Sequence, residues 1–229
     1  MRRIIASIAL PLALTPVIAA ARQISAGPPP VQEGGTAAAQ RCELRIITTK
    51  KGLSVADSTD FKGTGLIGDA MAGLYKKPNY QAVVDFANGE IGPEGQERLI
   101  RAGLVNLPAR LAGYQVAFEQ AGPEALAAFK DARHAPRLTV STAPCVAEIS
   151  VIGIAYIRTS LSRTVDCLFM FRQFGAGPQP VAVVIYANDA SVHAFPPKSD
   201  GDAPAARAEL STTFATVFAA FLKKIEKGK

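Results

Sequence analysis

The sequence predicts an α/β (α+β) sandwich: a mixed sheet dominated by a long antiparallel hairpin (145–158/164–174), helices packed on it, and a closing C-terminal amphipathic helix. Three observations carry that expectation. Two long runs rich in Ile, Val and Phe flank the short connection Thr159-Ser-Leu-Ser-Arg163, as paired strands do. Leu210, Phe214, Val217, Phe218, Phe221, Leu222 and Ile225 recur at helical spacing near the end of the chain. Hydrophobic residues make up 48% of the 229, which argues against disorder and suits one well-cored domain.

Arg2 and Arg3 open the chain, an apolar run extends from Ile4 to Ile18, and Ala19-Ala20-Ala21 follow. This is the layout of a secretory signal peptide over 1–21. The run falls short of the ~20 apolar residues a membrane span requires, and Pro11 and Pro16 interrupt it. No later stretch reaches span length. Residues 22–41 hold Pro28-Pro29-Pro30, Gly34-Gly35 and Ala37-Ala38-Ala39 with little to bury, and read as a flexible tether. Cys42 lies far beyond the apolar core, which argues against lipidation there. Export removes Arg2 and Arg3 and lowers the formal charge of +6 by two. Much of the remaining excess sits in Lys223, Lys224, Lys227 and Lys229, where cations suit a helix C-terminus. No basic stripe is interleaved with aromatics, so no nucleic-acid partner is expected.

A single α/β domain is expected over 42–229. Residues 43–49 are rich in Ile and Thr and read as a first strand. Residues 61–77 carry Phe61, Leu66, Ile67, Met71, Leu74 and Tyr75 before Pro78, a helix. Residues 80–104 read as helical with a break at Gly92-Pro93, where the proline opens a second helix. Residues 114–118 read as a short strand, and Pro123 begins a short helix through Arg133.

Pairing Arg158 with Thr164 sets a register for the hairpin. Ile149, Val151, Gly153, Ala155 and Ile157 then share a face with Val165, Cys167, Phe169 and Phe171, small residues opposite large ones. The other face holds Glu148, Ser150, Tyr156, Arg158, Asp166 and Arg172 with Ile152, Ile154, Leu168 and Met170. It is polar at its ends, apolar in its middle, and half covered. A slip of one residue exchanges the two faces. Residues 181–187, between Pro180 and Asn188-Asp189, read as a further strand, and 196–204 as a loop. The last helix begins near Ala205, with Asp202 as a candidate cap. Its apolar stripe is expected against the sheet rather than on a membrane, because its opposite face lacks a dense Lys/Arg band.

No reactive constellation emerges. Gly63-Thr-Gly65-Leu-Ile-Gly68 spells a dinucleotide fingerprint and Asp85 could pass for its acidic partner, but no strand runs directly into the first glycine. G-x-S-x-G, H-E-x-x-H and C-x-x-C are absent, and Asp200-Gly201-Asp202 is turn chemistry. No cofactor and no metal are expected. Among the three cysteines, Cys167 faces Ala155 in this register, ~33 Å along the strand from Cys145, whereas a disulfide needs Cα atoms within ~7 Å. Cys42 and Cys145 each begin a strand and are the preferred bridge; Cys167 stays buried and reduced.

Three segments carry a resemblance. Cys42-Glu43-Leu44 after a tether, Pro144-Cys145-Val-Ala-Glu148, and the loop Phe195-Pro196-Pro197-Lys198-Ser199 before a final helix look like a group of exported proteobacterial proteins of unknown function. The element order is also similar to envelope domains of the TolB amino-terminal and curli-secretion type. That resemblance implies a non-enzymatic assembly or activation factor.

The expected function is therefore that of an exported, non-catalytic protein of the periplasm or exterior that binds another envelope protein or cell-wall component. The expected binding surface is the mixed hairpin face: Ile152, Ile154, Tyr156, Leu168 and Met170, rimmed by Glu148, Arg158 and Arg172. The competing expectation is that a second layer or the 61–104 helices cover that face. A small periplasmic hydrolase using scattered acids and His134, or a small-ligand carrier with its pocket beside Gly65 to Gly73, are the alternatives of other classes.

Overall fold

The computed structural model describes residues 41–57, 78–122, 124–159 and 161–228. The leader, the tether, the helix expected over 61–77 and the Gly63-to-Gly68 motif lie outside the described residues.

Among the described residues, six strands form one mixed sheet: β1 (Glu43–Thr48), β2 (Leu53–Asp57), β3 (Gln115–Gln120), β4 (Val146–Arg158), β5 (Arg163–Phe174) and β6 (Pro180–Ser191). The main order is β3-β1-β4-β5-β6, with β2 also pairing β4. β1 runs parallel to both β3 and β4, whereas β4, β5 and β6 are mutually antiparallel. Helices α1 (Pro78–Ile91), α2 (Pro93–Gly103) and the long α4 (Ala203–Lys227) pack together on one face. The short α3 (Glu124–Lys130) contacts β4 on the other.

One strand edge explains the sheet's shape. β1 covers the first half of β4 (Glu43↔Val146 to Ile47↔Ser150) and β2 the second (Leu53↔Ile154 to Asp57↔Arg158). The turn between them interrupts the ladder, and two helix side chains take over its hydrogen bonds. Thr49 N–H donates to Gln96 Oε1 at 3.0 Å, and Leu53 N–H to Asn88 Oδ1 at 3.2 Å. Gln96 is fully buried and donates in turn to the Ile91 carbonyl. Gly52 sits at φ 60°, and a Cβ there would overlap the Asn88 carboxamide, so this corner requires glycine.

Opposite the break, β4 itself carries a bulge between Val151 and Gly153. The hairpin pairs Ile149 with Phe171 and Val151 with Phe169 below it, then Ile154 with Cys167 and Arg158 with Arg163 above it. The single register expected from Arg158 opposite Thr164 is thus replaced by two. The extra residue flips the parity of β4, so Ile149, Val151, Ile154 and Tyr156 all face the helices. Gly153, Ala155 and Ile157 move to the opposite face instead.

The helix-side core is aromatic at its centre. Phe169 stacks on Phe221 at 5.1 Å and meets Phe214 edge-on at 5.7 Å. All seven residues of the α4 stripe are buried. Asp202 precedes α4 but makes no side-chain cap; its carboxylate accepts from the Ser199 hydroxyl. β6 continues past Ala187 to Ser191, because β5 pairs with it as far as Thr164↔Ser191. No helix among the described residues is long and apolar enough to cross a membrane.

Candidate functional site

The eight residues expected to form a docking surface do not form one. Ile154 and Tyr156 lie in the helix-side core, Tyr156 meeting the Phe195 ring edge-on at 5.1 Å. Ile152, Leu168 and Met170 point the other way, into a small cluster with Ala128 of α3 and Ala132. Glu148 and Arg172 are fully buried. Arg158 alone is exposed. The physical reason is the bulge, which splits the patch across two faces, together with the 124–143 segment, which covers the lower half of the second face.

The cover is fastened by charge. Glu148 Oε1 accepts from the backbone N–H groups of Leu138 (2.7 Å) and Thr139 (3.0 Å) and from the Thr139 hydroxyl. Its Oε2 accepts from Arg172 at 2.7 Å, and Arg172 also donates to the Ala135 carbonyl. A buried carboxylate and guanidinium thus replace water with fixed donors and acceptors, as burial of charge demands.

Among the described residues, no segment covers the upper half of this face. There a cleft of about 490 Å³ is walled by Gly153, Ala155, Ile157 and Ala187 and holds Asp166 and Asp189. These two acids are direct cross-strand partners. Burial first, then the charge of Asp189, pushes the Asp166 carboxyl up to about 6; the Thr164 hydroxyl opposes this only in part. Asp166 Oδ1 is buried without a hydrogen-bond partner among the described residues. The sequence placed Asp166 on a mixed face but ended the next strand at Ala187, short of Asp189. The signal that could have found the pair is the length of β5, which demands an equally long β6.

Among the described residues, the remaining chemistry-bearing side chains do not gather. Cys42 and Cys145 are disulfide-bonded, with Cα atoms 4.8 Å apart, so Cys145 is no nucleophile. Cys167 is a buried free thiol, pushed up to about 12 by burial and by neighbouring Asp166. His134 Nδ1 lies 2.7 Å from Asp131 Oδ1, both side chains exposed and apart from the cleft. His193 stands where Glu209 receives three backbone N–H groups, those of His193, Ala194 and Phe195 at 2.7–2.8 Å. No group of three or more His, Cys, Asp or Glu among the described residues could hold a metal. The surroundings of Gly65 to Gly73 lie outside the described residues.

No family model matches the chain, and no curated protein sequence matches it. Among solved structures it is similar to protein XCC0632 of Xanthomonas campestris, of the DUF330 family, at 9% identity over 82% of this chain and 87% of that one, TM-score 0.33. It is similar to hypothetical protein CT253 of Chlamydia trachomatis at 12% identity, covering 77% and 95%, TM-score 0.29. Lipoprotein GNA1162 of Neisseria meningitidis matches at 9% identity, covering 79% and 96%, TM-score 0.29.

Proposed function

We propose that this is an exported, non-catalytic protein of the periplasm or exterior that works by binding, and that its cleft takes a Lys- or Arg-bearing segment of another envelope protein. The observation that carries this reading is the Asp166–Asp189 pair in a hollow of small residues on the half of the sheet that no described segment covers. Two adjacent carboxylates, one with an orphaned buried oxygen, have no ion-pair partner among the described residues, and a basic side chain would supply the counter-charge. Gly153, Ala155 and Ala187 leave room for its aliphatic stem.

Export is supported by the leader-like start over 1–21 and by the Cys42–Cys145 disulfide, a bond that persists in oxidising compartments. A binding role is supported by the dispersal of nucleophiles and bases among the described residues. The element order read from the sequence, which resembles that of TolB amino-terminal and curli-secretion domains, points the same way, to an assembly or activation factor.

The test compares the mature protein with its Asp166→Asn/Asp189→Asn variant as baits for an envelope extract, with tetralysine as competitor. Capture of a protein by the wild type that is lost with the variant and displaced by tetralysine is the expected result. Identical captures by both baits, or captures indifferent to tetralysine, overturn the reading.

A further inference from the structure

A second hollow, of about 370 Å³, lies at the tip of the β4–β5 hairpin, lined by Arg158, Arg163, Ser191 and His193 together with the turn residues. It is chemically opposite to the acidic cleft. Arg158 and Arg163 are direct cross-strand partners, and neither has a carboxylate partner among the described residues. Two like charges held face to face across a ladder repel one another, and Asp57 of β2 is the register partner of Arg158 on its other side. Arg158 follows Tyr156 by two residues on β4 and so shares its side of the sheet, as does its cross-strand partner Arg163. Ser191 and the His193 ring add polar lining to the same hollow.

Glu209, which reaches the backbone at His193, is occupied by three backbone N–H donors and so does not discharge the arginines. The turn is stiffened locally: Thr159 Oγ1 accepts from the N–H groups of Leu161 and Ser162. The arginines therefore spring from a braced frame. Leu161 stands out from the same tip, 96% exposed.

We propose that this tip is an oxyanion site that takes a phosphate group. Two forked guanidinium donors and neighbouring polar side chains match a tetrahedral anion with several acceptor oxygens, and binding cancels the repulsion the free tip endures. The phosphate can be free or carried by a lipid headgroup; in the second case exposed Leu161 enters the headgroup layer beside it. This site shares only Ser162 of the turn with the cleft, none of Arg158, Arg163, Ser191 and His193 lining both, and it is tested independently of it.

The test uses inorganic phosphate by titration calorimetry, and phosphatidylcholine vesicles with and without phosphatidylglycerol by co-sedimentation. The wild type is expected to bind phosphate, and Arg158→Gln/Arg163→Gln to weaken binding at least ~10-fold, the loss of one or two charge-assisted contacts. Vesicle binding that requires phosphatidylglycerol and falls with Leu161→Ser, while phosphate binding does not, identifies the lipid-borne source. Phosphate binding without vesicle binding identifies the free anion. Binding to neither probe, or equal binding by the arginine variant, overturns the proposal. Should the double variant fold poorly, the exposed single Arg158→Gln serves in its place.

Discussion

Arg172 on β5 and Glu148 on β4 face each other across the hairpin, joined at 2.7 Å with both side chains fully buried. The pair is the fastening between the sheet and the segment that covers its second face, since Glu148 also receives Leu138 and Thr139, and Arg172 reaches Ala135. Arg172 further lies 5.1 Å from the Phe174 ring. Its Nε and the Ser150 hydroxyl have no partner among the described residues, so the network has no spare acceptor for a stranded charge.

Removing one partner is therefore expected to cost far more than removing both. Glu148→Ala should lose ~3–5 kcal/mol, because it leaves a buried guanidinium uncompensated. Glu148→Leu combined with Arg172→Met should recover a large part of that loss. Urea unfolding of the single and double variants measures the difference.

Tyr156 and Met170 lie on opposite faces and both are buried. Tyr156→Asp and Met170→Asp should each destabilise by more than ~3 kcal/mol, since each strands a carboxylate among apolar neighbours. Thermal unfolding followed by circular dichroism checks this. A docking surface would instead tolerate both changes with unchanged stability.

Asp166 provides a pH signature. Its carboxyl titrates at about 6 in the fold against 3.8 for the ordinary group. Between those values the native state holds the proton more tightly than the unfolded chain, so stability present below about pH 4 is lost as pH rises through about 6. The partly exposed carboxylate discounts the loss to ~1–2 kcal/mol. Asp166→Asn should remove this pH dependence and raise stability at neutral pH, read from urea midpoints at about pH 4 and 7.

The disulfide closes a loop with a sequence separation of 103 residues. Breaking it with Cys42→Ser and Cys145→Ser should cost ~2–5 kcal/mol. In the intact protein a thiol reagent should find one free cysteine, Cys167, and only on unfolding.

Glu209→Ala should strand the three N–H groups of the 193–195 corner and cost ~2–3 kcal/mol. Hydrogen exchange at residues 193–195 should quicken selectively, whereas the central residues of β5 should stay protected.

Helical elements were legible wherever a period coincided with its own punctuation. The α1–α2 break at Gly92-Pro93 and the buried stripe of α4 follow from patterns that any partner face would satisfy. The disulfide was legible through strand geometry, because Cys42 and Cys145 begin two strands that run side by side. The register of the hairpin was not. A bulge costs one residue and leaves no mark in an apolar run such as Ser150-Val-Ile-Gly-Ile154, yet it reverses every side chain beyond it.

The sequence by itself thus determined β1, β3, β4, β5, most of β6, the helices α1, α2 and α4, and which pair of cysteines can meet, because these depend on local spacing and polarity. It did not mark β2, a short strand known only by its pairing with β4. Tertiary structure alone decided which face each hairpin residue occupies. It also decided that Glu148 and Arg172 fasten a covering layer, and that Asp166 and Asp189 share a cleft. The reason is that a face is fixed by the partner strand: the turn between β1 and β2 and the bulge in β4 lie opposite one another and shift together, a correlation between residues about a hundred positions apart that no local window contains.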